Sequence, residues 1–142
     1  MSKRENVLNA LFERLLNLTE VVIKKNDPLP QKVPQKGLII LRDGKIGEPE
    51  VLLSPPYFIY QHRAEIEAVV QDATSADRDT HLDKLLEEVG RLLQIDPTLS
   101  GLIDYMHADP PEFIEELVDG GITIKAAIVP IILEYTSTSN LT

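Results

Sequence analysis

The sequence has 142 residues and a mass of 15.9 kDa, a size that suits one domain burying roughly two thirds of its unfolded surface, enough for a core without staples. Fourteen basic and 23 acidic residues leave a formal charge of −9, a field that repels phosphate backbones and argues against tight nucleic-acid binding. The absence of cysteine excludes disulfides and thiolate metal sites; without a secretory h-region in MSKRENVLNALF or an apolar run near the roughly 20 residues of a membrane span, the chain reads as soluble and unprocessed.

Ser2 and Glu5 have capping-box spacing, and Val7, Leu8, Leu11, Phe12, Leu15 and Leu16 recur at one-face helical intervals, which predicts a first helix of about four turns. The β-branched run TEVVIKK then suits a short strand. NDPLPQKVPQKG carries three prolines and so is an extended connection, neither helix nor central strand. LIIL at 38–41 and EVLL at 50–53 flank RDGKIG, where Asp43-Gly44 offers the positive φ angles of a hairpin turn; the expectation is a hairpin with a polar, protruding tip. In YFIYQHRAEIEAVVQ, residues 58, 60, 62, 64, 66, 68 and 70 alternate with Gln61, Arg63, Glu65 and Glu67, the clearest and longest strand of the chain.

Ser75 is a candidate cap, Asp77 and Asp79 complement the dipole of the first turn, and Leu82, Leu85, Leu86, Val89, Leu92 and Leu93 form the apolar stripe of a second helix. Asp96-Pro97 ends it, and Leu99, Leu102, Ile103 and Met106 predict a short third helix after a corner. FIEELV and GITIKAAIVPIILEYTS, joined by Asp119-Gly120, read as a second hairpin in which Pro130 argues for an edge or bulge. The order predicts one α+β domain over residues 1–142: a mainly antiparallel sheet with two long helices and one short helix packed on one face.

No residue set meets the demands of catalysis or metal binding. The G-x-S-x-G turn is missing around Ser54, Ser75 and Ser100; Asp96 and Asp104 fit a helix stop and an exposed turn; and His62, His81 and His107 lie on separate elements without zinc-ligand spacing. Gly44 and Gly47 lie between strands instead of at a strand-to-helix junction, so no phosphate cradle is expected, and no cofactor. The outward charges Arg63, Glu65 and Glu67 are either a solvated face or the polar part of an interface. The two-sided apolar strand IKAAIVPIIL carries more apolar surface than two helices and one sheet face readily cover, which a partner protein would explain.

RENVLNALFERL, PLPQKVPQKGLIILRDG, YFIYQHRAEIEAVVQ, LDKLLEEVGRLLQIDPTLSGL and KAAIVPIILEYTST together resemble the tail terminator, or tail completion, proteins of long-tailed phages and prophages, the lambda-like minor tail protein U type. The resemblance spans nearly the whole chain. It implies a non-enzymatic virion subunit that forms a ring, commonly a hexamer, on the head-proximal end of the tail tube, ending polymerisation and meeting the head–tail connector protein. The partners implied are the chain itself, the tail tube protein and the connector, with no sequence-specific nucleic acid and no membrane. The location implied is the virion tail, and the host cytoplasm during assembly. On this reading Arg42, Asp43, Lys45 and Glu48 of the RDGKIGEPE hairpin, with Arg63, Glu65 and Glu67, are the candidate interaction residues, and an acidic channel lets DNA slide without sticking. The alternatives are a small acyl-CoA-dependent transferase, a label that some relatives carry, and a free-standing bacterial adaptor.

Overall fold

The computed structural model describes residues 1–118 and 120–142. The helix α1, Lys3–Leu15, starts where Ser2 Oγ accepts the Glu5 amide at 3.1 Å, as the capping spacing predicts. Then come β1 (Val22–Lys25), β2 (Leu38–Lys45), β3 (Glu50–Leu53), β4 (Pro56–Val70), α2 (Ser75–Ile95), β5 (Tyr105–Ala108), β6 (Glu112–Glu116) and β7 (Ile124–Ser137). Thr74, not Ser75, caps α2, its hydroxyl accepting from the Asp77 amide at 3.1 Å.

All seven strands join one sheet in the order β1-β2-β4-β7-β5, with β3 beside the first half of β4 and β6 beside the first half of β7. The central ladder is β4 against β7, antiparallel from Phe58↔Ser137 to Val70↔Lys125. Only β1 and β2 run parallel, the proline segment providing the crossover that a hairpin cannot.

One sheet face carries both helices. Val7, Leu8, Leu11 and Leu15 of α1 and Leu82, Leu85, Val89 and Leu93 of α2 share a core with Ile39, Leu41, Ala64, Ile66, Ala68, Val129, Ile131 and Leu133. The opposite face holds a second cluster, Leu38, Ile40, Val69, Ile124 and Ala126, covered by Leu29 and Val33 of the proline segment and by Val118. Gln71 fastens this strap: its Oε1 accepts the Val33 amide at 2.8 Å, and its Nε2 donates to the carbonyls of Gln31 (3.3 Å) and Ile122 (2.8 Å). Apolar surface for which the sequence suggested a partner protein is therefore partly covered by the chain's own strap.

The fold is α+β, but the expected architecture needs correction. It is mostly sheet, 38% strand against 24% helix, and among the described residues has two helices, of 13 and 21 residues, with no third. Asp96 collects the corner that replaces the third helix: Oδ1 accepts from the Thr98 amide (3.0 Å) and hydroxyl (2.7 Å), and Oδ2 from the Ser100 amide (2.7 Å). Leu99, Ser100 and Gly101 then take φ of +50°, +59° and +85°, which no right-handed helix permits. Of the apolar residues read as a helical stripe, Leu99, Ile103 and Met106 are buried and Leu102 partly buried by this left-handed corner and by β5, where Met106 pairs with Leu133.

A second correction concerns the first hairpin. β2 pairs with β1 and β4, while β3 folds back on β4, so 38–41 and 50–53 are not partners. The second hairpin forms as β6 against β7; its turn residue Asp119 lies outside the described residues. Pro130 lies on a central strand, and the interruption is in its neighbour. Its carbonyl accepts the Asp109 amide at 2.9 Å, so its missing N–H would have pointed into the break between β5 and β6.

Candidate interaction surface

Alternation along β4 buries Tyr60, His62, Ala64, Ile66 and Ala68 beneath the helices and turns Gln61, Arg63, Glu65 and Glu67 to the other face. There Arg42 of β2 grips Glu67 with both Nε (2.7 Å) and Nη2 (3.4 Å). Glu65 stands between Arg42 and Pro130 in the ladder, and Arg63 reaches Asp109 at 3.2 Å. Four of the seven sequence-selected residues thus share one face, where opposite charges largely satisfy each other. The arrangement is a paired polar face in which the partly buried Ile128 and Ile132 are interspersed.

Asp43, Lys45 and Glu48 sit apart from that set, at the exposed end of β2 and the loop after it. Between Arg42 and Lys45 the ladder slips by a bulge. Gly44 occupies it with φ +65°, and a Cβ there would stand 2.0 Å from the Arg63 carbonyl oxygen, so only glycine fits. Asn26 locks the bulge from the side: its amide donates to Asp43 Oδ1 at 3.0 Å, and its Oδ1 accepts the Asp43 amide at 3.2 Å.

Beneath the bulge lies His62, for which the sequence offered no zinc-ligand spacing. His62 is fully buried, with Nε2 2.6 Å from the Asp43 carbonyl oxygen and Nδ1 2.9 Å from Tyr135 Oη. A carbonyl only accepts, which fixes the proton on Nε2 and makes Nδ1 the acceptor of the tyrosine hydroxyl. Burial pushes the imidazole pKa down, partly offset by the Asp43 carbonyl, and burial pushes the Tyr135 hydroxyl up to about 12. The result is a neutral bridge between β2, β4 and β7 at the root of the loop carrying Asp43, Lys45 and Glu48. The inward parity of His62 in the alternation was the available signal.

Two apolar surfaces were also missed. The β3 hairpin is an arm whose tip, Leu52, Leu53, Pro56 and Tyr57, lies beyond the last rung of the β4–β7 ladder, and Val51, Leu52, Leu53 and Tyr57 are exposed, Leu53 by 80%. On the far edge, Phe113, Ile114 and Leu117 are 53%, 49% and 86% exposed beside Glu112, Glu115 and Glu116. VLLSPPY and EFIEEL, apolar runs next to turn signals, carried this information.

The DPTLSG corner is structural. Its carboxylate is saturated by Thr98, Ser100 and Arg14, which donates to Asp96 Oδ2 at 3.3 Å, and these bonds hold its pKa far below the usual carboxylate range. No protein-family model and no curated protein matches this chain.

Proposed function

We propose that this chain is a structural subunit of a phage or prophage tail, whose copies form a ring, a hexamer as in the family it resembles, on the head-proximal end of the tail tube. The ring ends polymerisation and offers its outer surface to the head–tail connector. The observation that carries this reading is the β3 arm. Four large apolar side chains, Val51, Leu52, Leu53 and Tyr57, stand in solvent on a hairpin that only β4 supports, which suits reaching a neighbour or the tube end. Their apolar area is removed from water only when a partner covers them. The paired charges Arg42–Glu67 and Arg63–Asp109 beside partly buried isoleucines fit the polar part of such an interface, and the net charge of −9 suits a passage for DNA.

Tube subunits add while the growing end exposes the same bonding surface, and a ring that occupies it must present a different face outward. Deleting the gene in a lysogen that carries it is therefore expected to give overlong tubes that fail to join heads, seen by electron microscopy of induced lysates. Normal tails joined to heads refute the reading, and short or absent tails indicate an earlier role at initiation.

A further inference from the structure

We propose that successive copies join edge to edge, β1 of one copy antiparallel to β6 of the next, with Lys24 facing Glu112, Val22 facing Ile114 and Ile23 facing Phe113. This rests on the ring reading above and names the surfaces that close it.

The first ground is charge segregation. Residues 24–45 hold six bases (Lys24, Lys25, Lys32, Lys36, Arg42, Lys45) against two acids (Asp27, Asp43), whereas residues 104–118 hold five acids (Asp104, Asp109, Glu112, Glu115, Glu116) and no lysine or arginine. In a chain of net charge −9, topology carries the basic segment to one sheet edge and the acidic segment to the other. A surface that complements a different patch on the same molecule produces a head-to-tail contact, which closes into a ring when the rotation permits.

The second ground is register. Following the ladders across the sheet gives the row Lys24–Ile40–Glu67–Ile128–Glu112 and, two residues on, Val22–Leu38–Val69–Ala126–Ile114. Cyclic symmetry has no translation along its axis, so with strands parallel to the axis, residues in one row stand at one height and meet across the interface. That sets cation against anion and apolar against apolar. Face parity agrees, because Ile23 and Phe113 lie on the helix side with Ile39 and Ala127.

The third ground is strand direction. β2, β4, β7 and β6 alternate in direction, and β1 runs with β2, so β1 and β6 are antiparallel and the sheet would continue from copy to copy without a reversal. Each is ladder-bonded on one side only, which leaves a row of backbone donors and acceptors to pair. Among the described residues of its own copy Lys24 has only the loose contact to Asp27 at 3.6 Å, and Glu112 has no ion pair.

The chain has no cysteine, so introduced thiols report cleanly. Facing residues of adjacent antiparallel strands hold their Cβ atoms about 4.5–5.5 Å apart, close enough to bridge with a small shift. Lys24→Cys and Glu112→Cys proteins, mixed and mildly oxidised, are expected to give a 24–112 dimer that neither gives alone, and the double variant a ladder ending at the ring size. Lys24→Glu and Glu112→Lys should each raise the concentration for half-assembly about tenfold, and their combination should restore it. Oligomers in light scattering without the 24–112 bridge, and indifferent to charge reversal, overturn this interface while leaving the ring reading intact. A strict monomer without the bridge also overturns it, and tail length in the deletion strain then judges the ring reading separately.

Discussion

Replacing His62 by leucine removes the bridge between the β2 bulge and β7 while keeping the volume of the site. The Asp43 carbonyl (2.6 Å), on the exposed bulge, and the buried Tyr135 hydroxyl (2.9 Å) both lose their partner. The two lost bonds and the stranded, buried Tyr135 hydroxyl cost about 3 kcal/mol together, less what the added apolar contact returns. For a chain of 142 residues that is a fall in Tm of roughly 10 °C at about 3–4 °C per kcal/mol. Tyr135→Phe should cost about half as much, and the double variant should fall short of additivity by about 1 kcal/mol, because both changes break the same bond. Calorimetry on the four proteins makes the comparison.

A pH series adds an independent reading. Burial lowers the folded-state pKa of His62 below its ordinary 6.5, so the unfolded chain binds the proton more readily. Its contribution is fully present above about pH 6.5 and is lost as pH falls below that value towards the folded pKa, by at most ~1.4 kcal/mol per pH unit for one proton. The depressed carboxyl of Asp96 acts in the same direction, but only as pH falls below its ordinary 3.8, and so outside this window. The difference between wild type and His62→Leu therefore isolates the imidazole between pH 5 and 7. A Tm within about 2 °C of wild type, or a slope unchanged by the substitution, would refute the buried bridge.

Gly44→Ala meets the Arg63 carbonyl at 2.0 Å with φ +65°, and should cost upwards of ~2 kcal/mol in urea unfolding, whereas Gly101→Ala, with open space at φ +85°, should cost only about 1. Gln71→Ala removes the two hydrogen bonds that hold the strap at Gln31 and Val33 and the one to the Ile122 carbonyl, and limited proteolysis should then cut within 28–36 several-fold faster while α2 stays protected. Val51→Ser with Leu53→Ser, both exposed, should leave Tm within about 2 °C of wild type yet abolish complementation of tail length in the deletion strain. Trimming residues 42–48 is the poorer test of the arm, since it takes away the Arg42–Glu67 pair and the carbonyl that holds His62 and should unfold the chain.

Much of what depends on neighbours in sequence was legible before any coordinates. The capping contact of Ser2, the stripes of both helices, the in-and-out alternation of residues 58–70 and the extended proline segment all follow from local periodicity and the geometry of proline. Decisions between competing non-local partners were not legible. Whether 38–41 pairs with 50–53 or with 66–69 depends on which ladder buries more apolar surface, and the long β4 offers both of its edges, so it outcompetes the local hairpin. At 97–106 the apolar spacing fits a helix equally well, and only the saturation of Asp96 by Thr98, Ser100 and Arg14, followed by three left-handed residues, decides for a corner. The interaction residues divide the same way: periodicity set Arg63, Glu65 and Glu67 on one face, but topology alone added Arg42 to them, moved Asp43 and Lys45 to the bulge above His62, and put basic and acidic segments on opposite sheet edges. Sequence proximity determines which side of a strand or helix a residue occupies, and long-range pairing, chosen by total burial, determines what stands opposite it.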